Sequence, residues 1–355
     1  MKDNLEQSRY IKLIKKEKAN LPFFVNEYDL FMQHSLATEY QYLTEFRRFF
    51  TWLRENEISK AKNNSAITIQ ELNDLRNMDM MLYVDYLKHE TNRHGKLNSS
   101  NSVNRSLNAL RSLFTYLTVN SEDENGLPYM THNVMLKIKQ VKNSETLNAR
   151  SRNIERQMYT GNKKHQLIDF IENSYIQGLN NKIAITLFKR NKERDIAIIA
   201  ILLGSGGRRS EVANLDVEHL ELREQMINFI RKGGALDTVP LAPWCIPYVK
   251  EYLKVRKKRY HATKNDHALF LTTARHEAKR ISAGQINNIV KKYSSAFGRP
   301  STAHKLRHTT ASELFAITKN EMLVAQQLGQ ASTSATHLYT HINQDTQRLA
   351  MSKLK

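Results

Sequence analysis

Apolar residues recur at three- and four-residue steps between Ser35 and Glu55, where Tyr40, Leu43, Phe46, Phe50 and Leu53 line one side of a predicted helix. Arg47, Arg48 and Arg54 fall mainly off that stripe. A second periodic segment surrounds Leu82–Leu87. The polar run from Glu90 to Asn101, with Gly95 and paired serines, reads as a loop. A third helix begins near Ser102 and buries Val103, Leu107, Leu110, Leu113, Phe114 and Leu117. Asn104, Arg105, Asn108 and Arg111 lie mostly on its other side. The first twenty residues are polar and lysine-rich, and their partial stripe of Ile11, Leu13 and Ile14 fits either a short helix or a mobile arm.

An acidic turn, Ser121–Pro128, closes this helical half, and a polar, basic stretch follows that reads as an interdomain linker. The predicted organisation is an arm at 1–20, a helical domain at 21–136, a linker at 137–165 and a second domain at 166–355. In the second domain Arg194–Leu203 is a strongly apolar helix that ends at Gly204, Ser205, Gly206 and Gly207. Arg208 then opens another helix. Gln225–Ile230 alternates as a strand does, Lys232–Gly234 is a turn, and Thr238–Leu241 is the return strand, so Lys232 sits at or beside a hairpin tip. A helix from Trp244 to Tyr260, a strand-like Leu269–Leu271 and a mainly helical remainder complete a chain that is mainly α with a small β-sheet.

The charge narrows the function. Its 355 residues carry a formal net charge of +19, a self-repulsion that a polyanion would offset. Nucleic acid is the first candidate and an anionic membrane surface the second. No apolar run approaches the roughly 20 residues of a membrane span, and Met1–Leu5 lacks the apolar core of a signal peptide. Cys245 is the only cysteine, which excludes an internal disulfide and a multi-cysteine zinc site. A soluble, cytoplasmic protein directed at nucleic acid is expected.

Several residues could carry chemistry on such a partner. Arg47, Arg48, Asn104, Arg105, Asn108 and Arg111 suit phosphates and base edges, although a merely solvated helix face would look the same. Arg208 follows a glycine turn at a helix start and is placed for an anion. His304 and Arg307 are three apart and share a helix face, joining a proton-transfer group to a fixed cation. Tyr339 needs such neighbours, because a phenol with a pKa of about 10 is a poor nucleophile. Each signal is weak by itself; an ordinary surface arginine, lysine or tyrosine reads the same way.

Taken in order, the segments Ser205–Glu211, Arg231–Gly234, His304–Thr309 and Leu328–His341 resemble the arginine, lysine, His-x-x-Arg and nucleophile boxes of the tyrosine recombinase (phage-integrase) family. Phe46–Leu53, Val103–Leu107 and Arg190–Asp195 are similar to the Xer branch, and within it to the single-protein recombinases of streptococci and lactococci. The resemblance implies a helical, SAM-like core-binding domain and a mostly helical catalytic domain with a small sheet, clamped around double-stranded DNA. It implies a homotetramer on two sites, resolution of chromosome dimers at cell division, and a DNA translocase at the septum as partner. Tyr339 would form a 3′-phosphotyrosyl link, Arg208 and Arg307 would stabilise the phosphate, Lys232 would protonate the leaving oxygen, and His304 would assist proton transfer. Gln330 stands where the family usually has His or Trp and would donate an amide N–H, while Glu211 would hold the arginine box. No ATP is implied for strand exchange, and no metal or other cofactor is expected. A mobile-element integrase or transposase would use the same residues, a type IB topoisomerase shares the chemistry, and a degenerate DNA-binding protein is the non-enzymatic alternative.

Overall fold

The computed structural model describes residues 3–91, 95–142, 153–231, 234–274 and 277–330. It divides into two compact units, Met1–Ser144 and Glu145–Lys355. Among the described residues no helix is long and apolar enough to cross a membrane.

The first unit is helical: α1 (Asp3–Lys18), α2 (Phe23–Met32), α3 (Leu36–Glu55), the short α4 (Ile69–Asn73), α5 (Asn77–His89) and α6 (Ser100–Thr115). Local chemistry starts several of them. The Ser99 side chain accepts the Ser102 N–H at the head of α6, and Thr68 and Glu71 form a reciprocal capping box on α4. The stripe on α3 is wider than its periodicity suggests, since Phe49 and Trp52 are buried beside Phe46, Phe50 and Leu53. Phe24 packs edge-on against Phe50, Tyr28 against Phe46, and Phe49 against Tyr83. Each such ring contributes roughly 1.5–3 kcal/mol by leaving water.

Of the two readings of the first twenty residues the helix is the one observed: residues 3–18 form α1, and Ile14 is buried in the core. Glu17 accepts the Arg47 Nε–H at 2.7 Å, and Lys18 pairs with Asp29 and, at 3.1 Å, with Glu39. Ile14 and Tyr10 pack on the core, Tyr10 with its ring 6.0 Å from that of Tyr40, but so short a stripe gives a weak period. The linker expected at 137–165 is shorter in the described residues. Asn104 Nδ2 donates to the Val141 carbonyl at 2.9 Å while the Val141 N–H donates to Asn104 Oδ1 at 2.8 Å. Arg111 Nη2 donates to the Ile138 carbonyl at 2.8 Å, so 138–141 belongs to the first unit. Met158 and Tyr159 are buried in the second, where the Tyr159 N–H donates to Thr309 Oγ1 at 3.1 Å. Residues 143–152 lie outside the described residues.

The second unit is built on α8 (Lys182–Ser205), preceded by α7 (Lys163–Asp169). Ile196–Leu203 is buried on every side, as befits a central helix apolar all round. After α9 (Arg209–Ala213) come β1 (Leu220–Glu221), β2 (Met226–Ile230) and β3 (Leu236–Pro240), an antiparallel sheet in the order β1-β2-β3. Met226 pairs with Pro240 and Ile230 with Leu236, so the β2–β3 turn begins at Arg231. The chain continues through α10 (Ile246–Tyr260) and a second hairpin, β4 (Leu271–Ala274) and β5 (Glu277–Arg280). It ends, among the described residues, with α11 (Ala283–Ala296), α12 (Ala303–Thr318) and α13 (Glu321–Leu328).

The Asn104 anchor can be tested directly. The chain has two tryptophans, of which Trp52 lies in the first unit. In a Trp244→Phe background, urea unfolding followed by Trp52 fluorescence should show Asn104→Ala lowering stability by about 1–2 kcal/mol. An unchanged midpoint would mean that α6 does not anchor 138–141.

Candidate active site

The site starts where α8 stops. Gly206 caps α8 with φ of 71°, a left-handed conformation that favours glycine, and a Cβ there would meet Leu328 Cδ2 at 2.7 Å. Gly207 lies so close to Phe229 that a Cβ would sit 2.5 Å from its ring. The chain therefore reaches Arg208 with its backbone pressed between α13 and β2. One turn later Glu211, only 4% exposed, folds back: Oε2 accepts the Arg208 backbone N–H at 2.7 Å and Oε1 accepts Arg208 Nη1 at 2.6 Å.

Two more guanidinium groups reach the same carboxylate. Arg231, at the end of β2, donates from Nη1 to Glu211 Oε2 at 2.8 Å and from Nε to Asp237 Oδ2 at 2.7 Å. Arg307 points inward from α12, its Nη1 3.9 Å from Glu211 Oε2. The side chain of Thr302 caps α12 by accepting the Lys305 N–H, which sets the helix phase that turns Arg307 in.

The same three arginines occupy the carboxyl end of α13. Arg231 Nη2 donates to the Gln327 carbonyl at 3.3 Å, Arg307 Nη2 to Leu328 at 2.7 Å, and Arg208 Nη2 to Gly329 at 3.3 Å. A helix leaves its last carbonyls without partners inside the helix and carries partial negative charge at that end, so guanidinium groups satisfy both needs. Arg307 Nη1 also donates to the Gly206 carbonyl at 2.9 Å. The Gln327 side chain ties α13 to the Ser205 and Pro240 carbonyls at 3.0 and 2.9 Å. Gln330 follows, its N–H bonded to the Ala325 carbonyl at 3.0 Å and its buried Oε1 without a hydrogen-bond partner among the described residues. Of the three arginine side chains, Arg208 is the accessible one, 39% exposed against 9% for Arg231 and 4% for Arg307.

His304 stands one turn before Arg307 at the exposed start of α12. Partial burial, then the charges of Arg307, Lys305, Arg208 and Arg209, hold its imidazole below the usual histidine range. It is therefore neutral at neutral pH and can accept a proton. The His308 ring packs edge-on at 4.5 Å, and burial, followed by His304 and its cationic neighbours, pushes its pKa down to about 3.

Arg208, Arg307 and Gln330 thus gather about Glu211 and the end of α13, with His304 close enough to feel both arginines. Lys232 and Tyr339 lie outside the described residues. The residues expected on a nucleic-acid face divide differently. Arg48 is held by Glu45, by Glu90 at 3.2 Å and by Ser106 at 2.6 Å, and Arg47 by Glu17. Asn104 and Arg111 bind the backbone of 138–141, while Arg105 and Asn108 are exposed. Sequence reasoning missed Arg231 and Asp237; the signal was an arginine directly before the hairpin lysine, with an acid on the return strand.

Residues 169–346 match the phage integrase family. The chain belongs to this family and is a tyrosine site-specific recombinase. Within it, the chain is 43% identical over 357 residues to the tyrosine recombinase XerS of Streptococcus thermophilus, covering 99% of this chain and 100% of that one. It is 42% identical over 350 residues to XerS of Streptococcus gordonii, covering 96% and 98%. Among solved structures it is similar to the XerH site-specific recombinase bound to a palindromic difH substrate in a post-cleavage complex, with a TM-score of 0.61 and 21% identity over 90% of this chain and 79% of that one. At that identity the likeness concerns the fold.

The two histidines set a pH dependence. A folded-state pKa below the unfolded value of about 6.5 makes the unfolded chain take up the proton first, so stability falls as pH drops below about 6.5. For His308 the loss continues toward pH 3. Between pH 6.5 and 5, above the carboxylate range, chemical denaturation of His308→Asn should show a shallower decline, by up to about 1.4 kcal/mol per pH unit. Parallel curves for the variant and the natural protein would refute the buried neutral imidazole.

Proposed function

We propose that this chain cuts and rejoins double-stranded DNA at a specific site through a 3′-phosphotyrosyl intermediate, and resolves chromosome dimers to monomers in the cytoplasm at cell division. The observation that carries the reading is the convergence of Arg208 and Arg307 on Glu211 and the end of α13, directly before the segment that bears Tyr339. The Tyr339 oxygen attacks the scissile phosphorus and the bond to the 5′-oxygen breaks. The phenolic proton passes to neutral His304, and the leaving 5′-oxygen takes a proton from Lys232. A 5′-hydroxyl of the partner duplex then attacks the phosphotyrosine and releases the tyrosine. Each step exchanges one phosphodiester for another, so strand exchange needs no ATP.

Charge builds on the non-bridging oxygens in both steps, and planar multi-donor guanidinium groups stabilise it. Arg208, the accessible one, leads, with Arg307 behind it and the Gln330 amide donating a further N–H. The core-binding unit, Met1–Ser144, and the catalytic unit, Glu145–Lys355, grip the duplex as a clamp, with Arg105 and Asn108 among the contacts of the first. The active form is a homotetramer on two sites, and a DNA translocase at the septum is its partner in the cell. Similarity to XerS over nearly the whole chain supports the chromosomal role.

A nicked suicide substrate tests the chemistry, because cleavage releases a short strand and traps the covalent adduct. The natural protein should become linked to DNA carrying the chromosomal site. Tyr339→Phe removes only the attacking oxygen and should bind with unchanged affinity and form no adduct. An adduct of undiminished yield would overturn the assignment, and linkage only to the ends of a mobile element would favour an integrase instead.

A further inference from the structure

Arg231 has no part in the reaction just described, yet its guanidinium ties three elements together. It holds Glu211 of α9 at 2.8 Å, Asp237 of β3 at 2.7 Å and the Gln327 carbonyl of α13 at 3.3 Å. Its charge lies 5.1 Å from the centre of the Phe229 ring on β2. Gly329 lies against it so closely that a Cβ would stand 2.4 Å from Arg231 Nε. Its N–H groups are committed to two carboxylates and a carbonyl of the protein itself.

Its neighbours are the groups that hold Arg208. Glu211 binds Arg231 through Oε2 and Arg208 Nη1 through Oε1. Arg208 Nη2 rests on the carbonyl of Gly329, the residue packed on Arg231. We infer that Arg231 is a positioning residue for strand cleavage: it fixes Glu211 and Gly329 and so sets the direction in which Arg208 meets the scissile phosphate. This rests on the reading of Arg208 as the phosphate-binding arginine. A lysine cannot replace Arg231, since one ammonium lacks the planar fork that reaches two carboxylates and a carbonyl together.

Single-turnover cleavage at saturating protein tests this on two suicide substrates. One has the natural scissile phosphate; the other has a methylphosphonate, in which an uncharged methyl replaces a charged non-bridging oxygen. With that charge removed, the placement of Arg208 matters less. Arg208→Ala should lose far less on the methylphosphonate than on the phosphate. Arg231→Lys should lose at least about tenfold on the phosphate, the scale of a misplaced catalytic group, and most of that loss should vanish on the methylphosphonate. The double variant should be no slower than Arg208→Ala alone. Asp237→Asn, which loosens Arg231 at its more exposed contact without altering the buried charge, should show the same pattern with a smaller loss. Equal losses on both substrates, or losses that multiply in the double variant, would overturn the inference. An Arg208→Ala defect that the methylphosphonate fails to relieve would refute the reading of Arg208 itself, and the inference would fall with it.

Discussion

A single buried carboxylate organises the catalytic unit. Glu211 is nearly enclosed, and an ionised carboxylate without partners would not be tolerated there. Arg208 and Arg231 answer it directly and Arg307 stands just beyond hydrogen-bond range. These arginines come from the start of α9, the end of β2 and the inside of α12, so balancing one charge brings three distant stretches of chain together. The carboxyl end of α13 completes the arrangement by taking a hydrogen bond from each guanidinium. Three cations against Glu211 and the more exposed Asp237 leave one positive charge in excess, and Arg208 carries it to the surface. That is the electrostatic character a phosphate in transit between two oxygens requires.

Close approach is the second condition. Gly206, Gly207 and Gly329 allow α8, β2 and α13 to touch at distances that no Cβ would permit. Gly206 and Gly329 also hold positive φ, so their two roles coincide. The glycines of the arginine box thus serve packing as much as turning, and the helix that leads toward Tyr339 is seated on them.

Much of this was legible beforehand. Apolar patterning marked α3, α6 and the buried part of α8, because burial on one or all faces leaves a pattern in neighbouring residues. The boxes around Arg208 and Arg307 were legible as motifs. Arg231 was not, since its partners sit at 211, 237 and 327 and only folding makes them neighbours. The polar side of α6 was read as a surface for nucleic acid, but a face that hydrogen-bonds a returning strand of backbone has the same composition as one that meets solvent or phosphate. Asn104 and Arg111 make hydrogen bonds of the first kind. Arg47 and Arg48 likewise have acids as partners within the first unit, drawn from α1, α3 and the loop after α5. Helix α1 stayed open between helix and arm because its apolar stripe is short.

The central claim is that the Glu211 charge holds the arginines in their working arrangement. It is tested most directly by the single-turnover cleavage rate of Glu211→Gln at saturating DNA. The substitution keeps the shape, removes the charge and turns one of the two acceptor oxygens into an N–H donor. The account predicts a rate lower by about 10²-fold, comparable to losing one preorganised donor. Cleavage within about twofold of the natural protein, against that scale for one donor, would contradict it.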